Sequence, residues 1–368
     1  MSTIKDVARQ AGVGVATVSR AISGRGSVSP RSLELVTAAA RALDYRPSAI
    51  ARALSLKRSG ALGVYVPELA SFFHSSIVSA ADKVARAHGT HLIVACGSPM
   101  REGRQEAITG VDFLLARDCD GIVIAGHELS DRDLLALRER MRHFVVINRR
   151  IPRLREQCFA PDHREGGRIA ARALLNRGHR RIALLEGPAR APDNRQRLEG
   201  FREELARHGL APALVFEGDF SRERGWQVAQ ELMQRIDRDR PPAQRCSAVF
   251  CANDRMAMGL TSRLWLGGWR VPEDLSVIGY DDDDFAPFTT PPLSTVRMPM
   301  TELTEQATAA LLTRCYGIEA APRPALAPAL ASRLSVLDGP FAPLGPAPLT
   351  TVSPPDETLF PARTKSMP

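Results

Sequence analysis

Several features are missing from this 368-residue chain, and each absence narrows its function. The six cysteines (Cys96, Cys119, Cys158, Cys246, Cys251 and Cys315) are scattered, with no CxxC pair. That argues against a zinc site or a disulfide framework and for a reducing cytosol. No apolar run is long enough to span a bilayer. Ser2 to Ala11 is too polar for the apolar segment of a secretory signal, so the expectation is a cytoplasmic protein rather than a free periplasmic one. Acidic residues are scarce at the start. Residues 1–60 carry ten Lys or Arg against only Asp6, Glu34 and Asp44, so most of the +8 net charge lies in the first sixth of the chain. A basic head on a nearly neutral body is the electrostatic footprint of a nucleic-acid binder. The apolar faces of the head's helices lack the aromatics that a membrane-surface segment would use.

Within the head, residues 3–23 read TIKDVARQAGVGVATVSRAIS. Ile4, Val7, Ala8 and Ala11 recur at helical spacing, and Gly12-Val13-Gly14 breaks the pattern where glycine permits a sharp turn. Thr17, Val18, Arg20, Ala21 and Ile22 then continue a second helix. This is a helix-turn-helix pattern, whose second helix enters the DNA major groove and presents its first residues to base edges. Ser29 and Pro30 suit the cap and first turn of a third helix, with Leu33, Val36, Ala40 and Leu43 as its packing stripe. Asp44-Tyr45-Arg46-Pro47 ends it, since a residue before proline avoids the helical region. Residues 48–54, SAIARAL, offer about two turns of helix, too short to be stable alone, and are expected to fold only on DNA.

From Ala61 the pattern changes to short apolar runs between amphipathic stretches. Residues 61–66, 91–95, 121–124 and 144–147 read as one series of buried parallel strands. Residues 181–185, 214–216, 248–251 and 275–278 read as a second. Two such series predict two α/β subdomains facing each other across a cleft at the carboxyl ends of their strands. The turn after the first strand reads Pro67-Glu68-Leu69-Ala70-Ser71, not GxGxxG, so the phosphate cradle of a nicotinamide dehydrogenase is missing. After Val336 the chain becomes proline-rich, and residues 339–368 are expected to form a disordered tail.

The motifs KDVARQAGV, ATVSRAIS, LDYRP and ARALS resemble those of the LacI/GalR family of sugar-responsive transcription regulators, and the resemblance runs from about Thr3 to Val336. Val15-Ala16, VVINRRIP, LLNRGHRRI and PPLSTVR resemble the galactose-responsive members in particular. The resemblance implies an all-α helix-turn-helix head (1–46), a hinge helix and linker (47–60) and a periplasmic-binding-protein-like core of two doubly wound parallel-sheet subdomains (61–338). It assigns base reading to Val15, Ala16 and Arg20, phosphate contacts to Thr17 and Ser19, and minor-groove wedging to Leu54. Arginine can grip guanine with two bonds, small apolar groups pack on thymine methyls, and an inserted leucine kinks the duplex. It also assigns sugar contacts to Asn148, Arg195, Asn253 and Asp281, with Phe220 stacking on the sugar ring and Phe73 forming a wall. Together these polar residues offer the donors and acceptors that ring hydroxyls need.

The implied partners are a palindromic double-stranded operator, a second copy of the chain and a small effector, a sugar such as galactose. No cofactor, metal or catalytic group is expected. Four consecutive aspartates, Asp281 to Asp284, would alternate sides on an extended segment and so could not converge on one ion. Arg149 and Arg150, beside Asn148, leave open a sugar acid or sugar phosphate. The sign of the response, inducer or corepressor, also stays open.

Overall fold

The computed structural model describes residues 2–23, 27–45, 58–97, 103–318 and 324–341. The head comprises α1 (Ile4–Ala11), α2 (Val15–Ser23) and α3 (Pro30–Ala42). Thr3 and Asp6 cap α1 reciprocally, and Gly12 closes it in the left-handed conformation at φ 64°. Ser29 caps α3 through the Ser32 amide, with Pro30 in the first turn. Val7, Ala8, Ala11, Val18, Val36 and Ala39 form the small core. Leu33 does not join it. It is exposed in the first turn of α3, a turn that contributes nothing to this core, and Ala39 takes the buried place instead.

The first sheet of the core contains β1 (Ala61–Val66), β2 (His91–Cys96), β3 (Gly121–Ile124), β4 (Phe144–Ile147) and the short β5 (Cys158–Phe159). All are parallel, in the order β2-β1-β3-β4-β5. Alternate residues serve opposite faces. Leu62, Val64, Val66, Val123, Val145 and Ile147 point into the larger core, whereas Tyr65, Ile122, Ile124, Phe144 and Val146 point into a second one. That second face is covered by α5 (Gly103–Ala116) and α6 (Asp131–Arg140), which contribute Ala107, Val111, Leu114, Leu134 and Leu137. The first face is covered by α4 (Phe72–Ala87). As an edge strand, β2 is only half-buried, although its sequence reads as an interior one.

The second sheet contains β6 (Ile182–Leu185), β7 (Leu214–Phe216), β8 (Ala248–Cys251), β9 (Ser276–Asp281), β10 (Ser294–Arg297) and β11 (Ala329–Ala331). Its order is β11-β10-β9-β8-β6-β7, and β11 runs antiparallel to β10. The sheet is parallel apart from this edge strand. Strands β5, β10 and β11, two to four residues long, had no apolar run long enough to mark them. Helix α7 (His163–Leu175) packs on α8 (Pro192–Arg207), and α9 (Arg222–Arg235) packs on α10 (Asp254–Leu266).

The two strand series suggest a simple succession of subdomains, but the chain is interlaced. After β10 it returns to the first subdomain as α11 (Met300–Tyr316), which packs on α4, β3, β4 and β5. It then crosses again to supply β11 to the second sheet. Residues 339–341, assigned to a disordered tail by composition, are hydrogen-bonded to the body: the Gly339 amide donates to the Arg177 carbonyl and the Phe341 amide to that of Gly178. Residues 342–368 lie outside the described ones.

Helix α8 is held at close range by glycines. A methyl group at Gly167 of α7 would run into the Arg197 carbonyl oxygen, and one at Gly200 of α8 into that of Arg164. Backbone meets backbone here, so no side chain can give way. Gly167→Ala is expected to lower the unfolding free energy by about 1–3 kcal/mol. Urea denaturation measures this, and an unchanged midpoint would contradict the close-packing account.

Candidate functional site

In the head, packing separates the two faces of α2. Val18 is buried among α1 and α3, whereas Val15, Ala16, Ser19 and Arg20 are exposed and Thr17 is half-buried. Val15, an apolar side chain, is left 42% exposed at the first position of the helix. Arg20 lies back along the same face, its Nε donating to the Ala16 carbonyl at 3.3 Å. The residues assigned to DNA thus share one unburied surface. Leu54 lies outside the described residues.

A second site lies between the subdomains, where strand ends of the two sheets meet. Asn148 follows β4 in the left-handed conformation, φ 63°. Its Nδ2 donates to Asp193 on α8 at 3.4 Å, and its Oδ1 lies 2.6 Å from His163 Nε2. The other nitrogen of His163 lies 3.1 Å from the Tyr280 hydroxyl at the end of β9. His163 therefore ties the first subdomain to the second at the point where the chain crosses. Burial lowers its pKa to about 4, so the ring is neutral. Ser130, Asp131, Asn148, Arg149, Arg150, His163, Asp193, Arg195 and Gln196 line a cavity of about 300 Å³ at this seam. That volume is at the lower end of the range for small-molecule sites.

Asp193, which lines this cavity, joins it to a buried network centred on Arg197, two residues from the expected sugar contact Arg195. Both lie on α8. Arg195 is exposed and lines the cavity, whereas Arg197 is 2% exposed and lies behind its wall. The Arg197 guanidinium lies 3.4 Å from Asp193, 3.8 Å from Asp281 and 3.7 Å above the Tyr280 ring. It also donates to the Ala252 carbonyl, while its buried Nε has no partner among the described residues. Burial pushes the Asp193 carboxyl upward, but Arg197 and the nearby histidines outweigh this and hold it below the usual carboxylate range. Asp281 goes the other way, raised because burial outweighs its more distant arginine. A signal for Arg197 was present. It falls on the stripe Asn194, Leu198, Phe201 and Leu205, where a charged residue must find a partner or a ligand.

Asn253 serves the site indirectly. Its Oδ1 caps α10 through the Met256 amide at 2.9 Å, and its Nδ2 donates to the Phe220 carbonyl at 3.1 Å. Phe220, held at φ 71°, places its ring 5.6 Å from the Arg197 guanidinium. Phe73 on α4 is partly buried against the larger core. Beside it, His74 keeps Nδ1 buried, with no hydrogen-bond partner among the described residues. Burial lowers the His74 pKa to about 4, and Asp193 and Arg255 of the second subdomain are close enough to act on it. His74 was not singled out from the sequence, because a lone histidine in a serine-rich helix start carries no pattern.

The aspartate run does not alternate as an extended segment would, because Asp281 and Asp282 both have positive φ. Its side chains disperse nonetheless. Asp281 faces Arg197, Asp282 pairs with Arg333 at 2.7 Å, and the Asp283 amide donates to the buried Asp254 carboxyl at 2.9 Å. Thr295 donates to the other Asp254 oxygen at 2.6 Å, fixing the segment to the sheet. The arginines beside Asn148 are committed locally. Arg149 pairs with Asp131 and donates to the Leu129 carbonyl, and Arg150 donates to the carbonyls of Ala160 and Pro161 at 3.3 and 3.4 Å.

A three-helix head with an exposed second helix, joined to two facing α/β subdomains, defines a class: DNA-binding regulators built on a periplasmic-binding-protein-like core. Comparison with known proteins agrees. Residues 3–48 match the bacterial regulatory proteins of the lacI family, and residues 171–336 match the periplasmic binding protein-like domain. The HTH-type transcriptional regulator GalS of Salmonella typhimurium is 35% identical over 319 residues, 86% of this chain and 91% of that protein. A LacI-family regulator from Burkhoderia phymatum is 38% identical, with a TM-score of 0.71 over 76% of this chain and 99% of that one. The lac repressor dimer bound to operator and an anti-inducer is 30% identical, with a TM-score of 0.80 over 91% of this chain and 99% of that one. The chain belongs to the LacI family, and it is a transcriptional regulator rather than an enzyme.

Removing the cation from this buried cluster tests its electrostatics. Arg197→Met is expected to cost about 3–5 kcal/mol at neutral pH, since it strands the Asp193 charge. Asp193 has a depressed native pKa, so its stabilisation is present above the unfolded carboxylate value and lost as pH falls through the native one. Without Arg197, burial alone would raise the Asp193 carboxyl and let it take up a proton, so the deficit of the variant should shrink as pH falls towards and below the ordinary carboxylate value. Urea titrations of both proteins across that window check it, and a deficit that grew on acidification would contradict the pairing.

Proposed function

We propose that the protein is a homodimeric repressor of carbohydrate-utilisation genes that leaves a palindromic operator when a sugar occupies the cleft between its subdomains. In this reading residues 1–46 bind DNA, 47–60 form the hinge, and the body from 61 to 338 binds the effector and pairs the two chains. As a DNA-binding regulator it works in the cytoplasm, at the nucleoid.

The observation that carries the DNA half is the unburied face of α2, with Val15, Ala16, Ser19 and Arg20 outward while Val18 anchors the helix. Arg20 would read guanine, Val15 and Ala16 would pack on thymine methyls, and Thr17 and Ser19 would hold phosphates. Two heads related by the dimer axis would meet two half-sites. Leu54 of each chain would enter the minor groove between them, unstacking a base step and bending the duplex.

The effector half is supported by the residues gathered at the seam. Asn148 of the first subdomain touches Asp193 of the second, and Arg197 links Asp193 to Asp281. A ligand bonded to both walls would hold them in one relative orientation and so bias the hinge segments, a coupling of about 1–3 kcal/mol per site in typical cases. Asn148, Arg197 and Asp281 would bond ring hydroxyls, and Phe220, positioned by Asn253, would offer its face to the ring. Arg195 would guard the mouth, and Phe73 would back the first-subdomain wall.

Fluorescence anisotropy of the full-length protein on a labelled palindromic operator, titrated with hexoses and pentoses, tests this reading. Release by a sugar supports induction, tightening would make the ligand a corepressor, and indifference to every sugar would remove the effector cleft from the account. In the same assay Arg20→Ala should cost about 1–3 kcal/mol and relax base preference at one position per half-site. Leu54→Ala should lose operator preference while keeping salt-sensitive non-specific binding, whereas unchanged operator affinity would contradict the wedge.

A further inference from the structure

The cavity at the subdomain seam is lined by more guanidinium groups than carboxylates. Arg149, Arg150 and Arg195 line it, against Asp131 and Asp193. Each carboxylate already has an arginine of its own. Asp131 pairs with Arg149, and Asp193 pairs with Arg197 behind the wall. His163, also in the lining, adds no charge because burial keeps its ring neutral. Asp162, the next residue back, is turned to the Glu165 amide as the cap of α7. Arg150 and Arg195 are left with no ion-pair partner among the described residues, so the lining carries an excess of positive charge. A cleft with an excess of one sign raises the local concentration of ligands of the other.

The hydrogen bonds of Arg150 do not supply the missing charge. Its Nη2 donates to the Ala160 and Pro161 carbonyls at 3.3 and 3.4 Å. These are long bonds to neutral acceptors, which steer the guanidinium without neutralising it. The two unmatched arginines also come from opposite walls. Arg150 follows β4 in the first subdomain, and Arg195 lies near the start of α8 in the second. One anionic group between them would bond both walls at once. A guanidinium presents its donors as a planar fork that matches carboxylate or phosphate oxygens, and such charge-assisted bonds are about twice as strong as neutral ones. The remaining polar lining suits hydroxyl groups. The amides of Asn148 and Gln196 each offer donors and an acceptor, and Asn148 Nδ2 is held by Asp193 only at 3.4 Å.

We infer that the seam cavity takes an anionic polyhydroxyl effector, a sugar acid or sugar phosphate, with its charged group between Arg150 and Arg195. This rests on the effector cleft proposed above and narrows its ligand class.

Isothermal titration of the full-length protein with matched probes tests it: galacturonate and glucuronate, the corresponding hexose 6-phosphates, and neutral galactose and glucose. The uronates and phosphates separate the two sources of negative oxygen. The expected result is that at least one anionic probe binds about tenfold or more tighter than its neutral parent. Added salt should narrow that ratio, since Arg195 is exposed to screening. Arg150→Gln and Arg195→Gln should each weaken the anionic probe by roughly tenfold and flatten its salt dependence. Anionic probes that bind no tighter than their neutral parents overturn the inference while leaving the effector cleft standing. Absence of binding by every probe overturns both. Anion binding unaffected by either substitution, in variants shown to be folded by circular dichroism, would place the charged group elsewhere and overturn its assignment to Arg150 and Arg195.

Discussion

A guanidinium cannot be taken out of water without partners, and the arrangement of this protein's core follows from how Arg197 is satisfied. The side chain is held by a carboxylate one helical turn back on α8, a second carboxyl at the end of β9, the Ala252 carbonyl after β8 and the face of Tyr280. Those partners come from three elements of the second subdomain. Through Asp193 the network reaches Asn148 of the first, and through Tyr280 it reaches His163 at the crossing point. An ion cluster of this kind contributes little to stability relative to an apolar core. Its consequence is positional: the strand ends and the helix cannot shift independently without stranding a charge.

Two features of the fold make such a network useful for control. Helix α8 sits against α7 with glycines at the crossing, so its position is set by backbone contact. The chain also passes between subdomains more than once, lending α11 to the first and β11 to the second. A change in how the two walls face each other is therefore felt by several connected segments together. Packed interfaces of this kind shift between discrete arrangements rather than deforming smoothly, which is the property a ligand-operated DNA-binding protein requires.

Much of this was legible in the sequence, for identifiable reasons. Eight strands announced themselves as apolar runs bounded by turns, and the head's helices by their spacing and their caps at Gly12, Ser29 and Pro30. The parts that escaped were those in which tertiary context decides. Strands β5, β10 and β11 are short and exist by pairing with longer neighbours. The return of α11 to the first subdomain is a matter of topology that a linear pattern does not encode. Arg195 and Arg197 are two residues apart and chemically identical, so only the helical register of α8, with Leu198 and Phe201 facing inward, separates the exposed one from the buried one. Asn253 looks like a sugar ligand in a motif, yet its side chain is spent on a helix cap and on the Phe220 carbonyl. The aspartate run reads as extended, whereas Asp281 and Asp282 turn through positive φ and bring the Asp283 amide onto the Asp254 carboxyl.

The central claim is that ligand, Arg197 network and subdomain seam form one unit. Amide hydrogen exchange of the full-length, DNA-free protein, with and without a saturating sugar, tests it most directly. The account predicts that protection rises together in residues 281–284, in the first turns of α8 and in residues 148–150 across the seam, because a ligand seated at Arg197 must tie both walls. Protection confined to one subdomain, or appearing away from these segments, would contradict it.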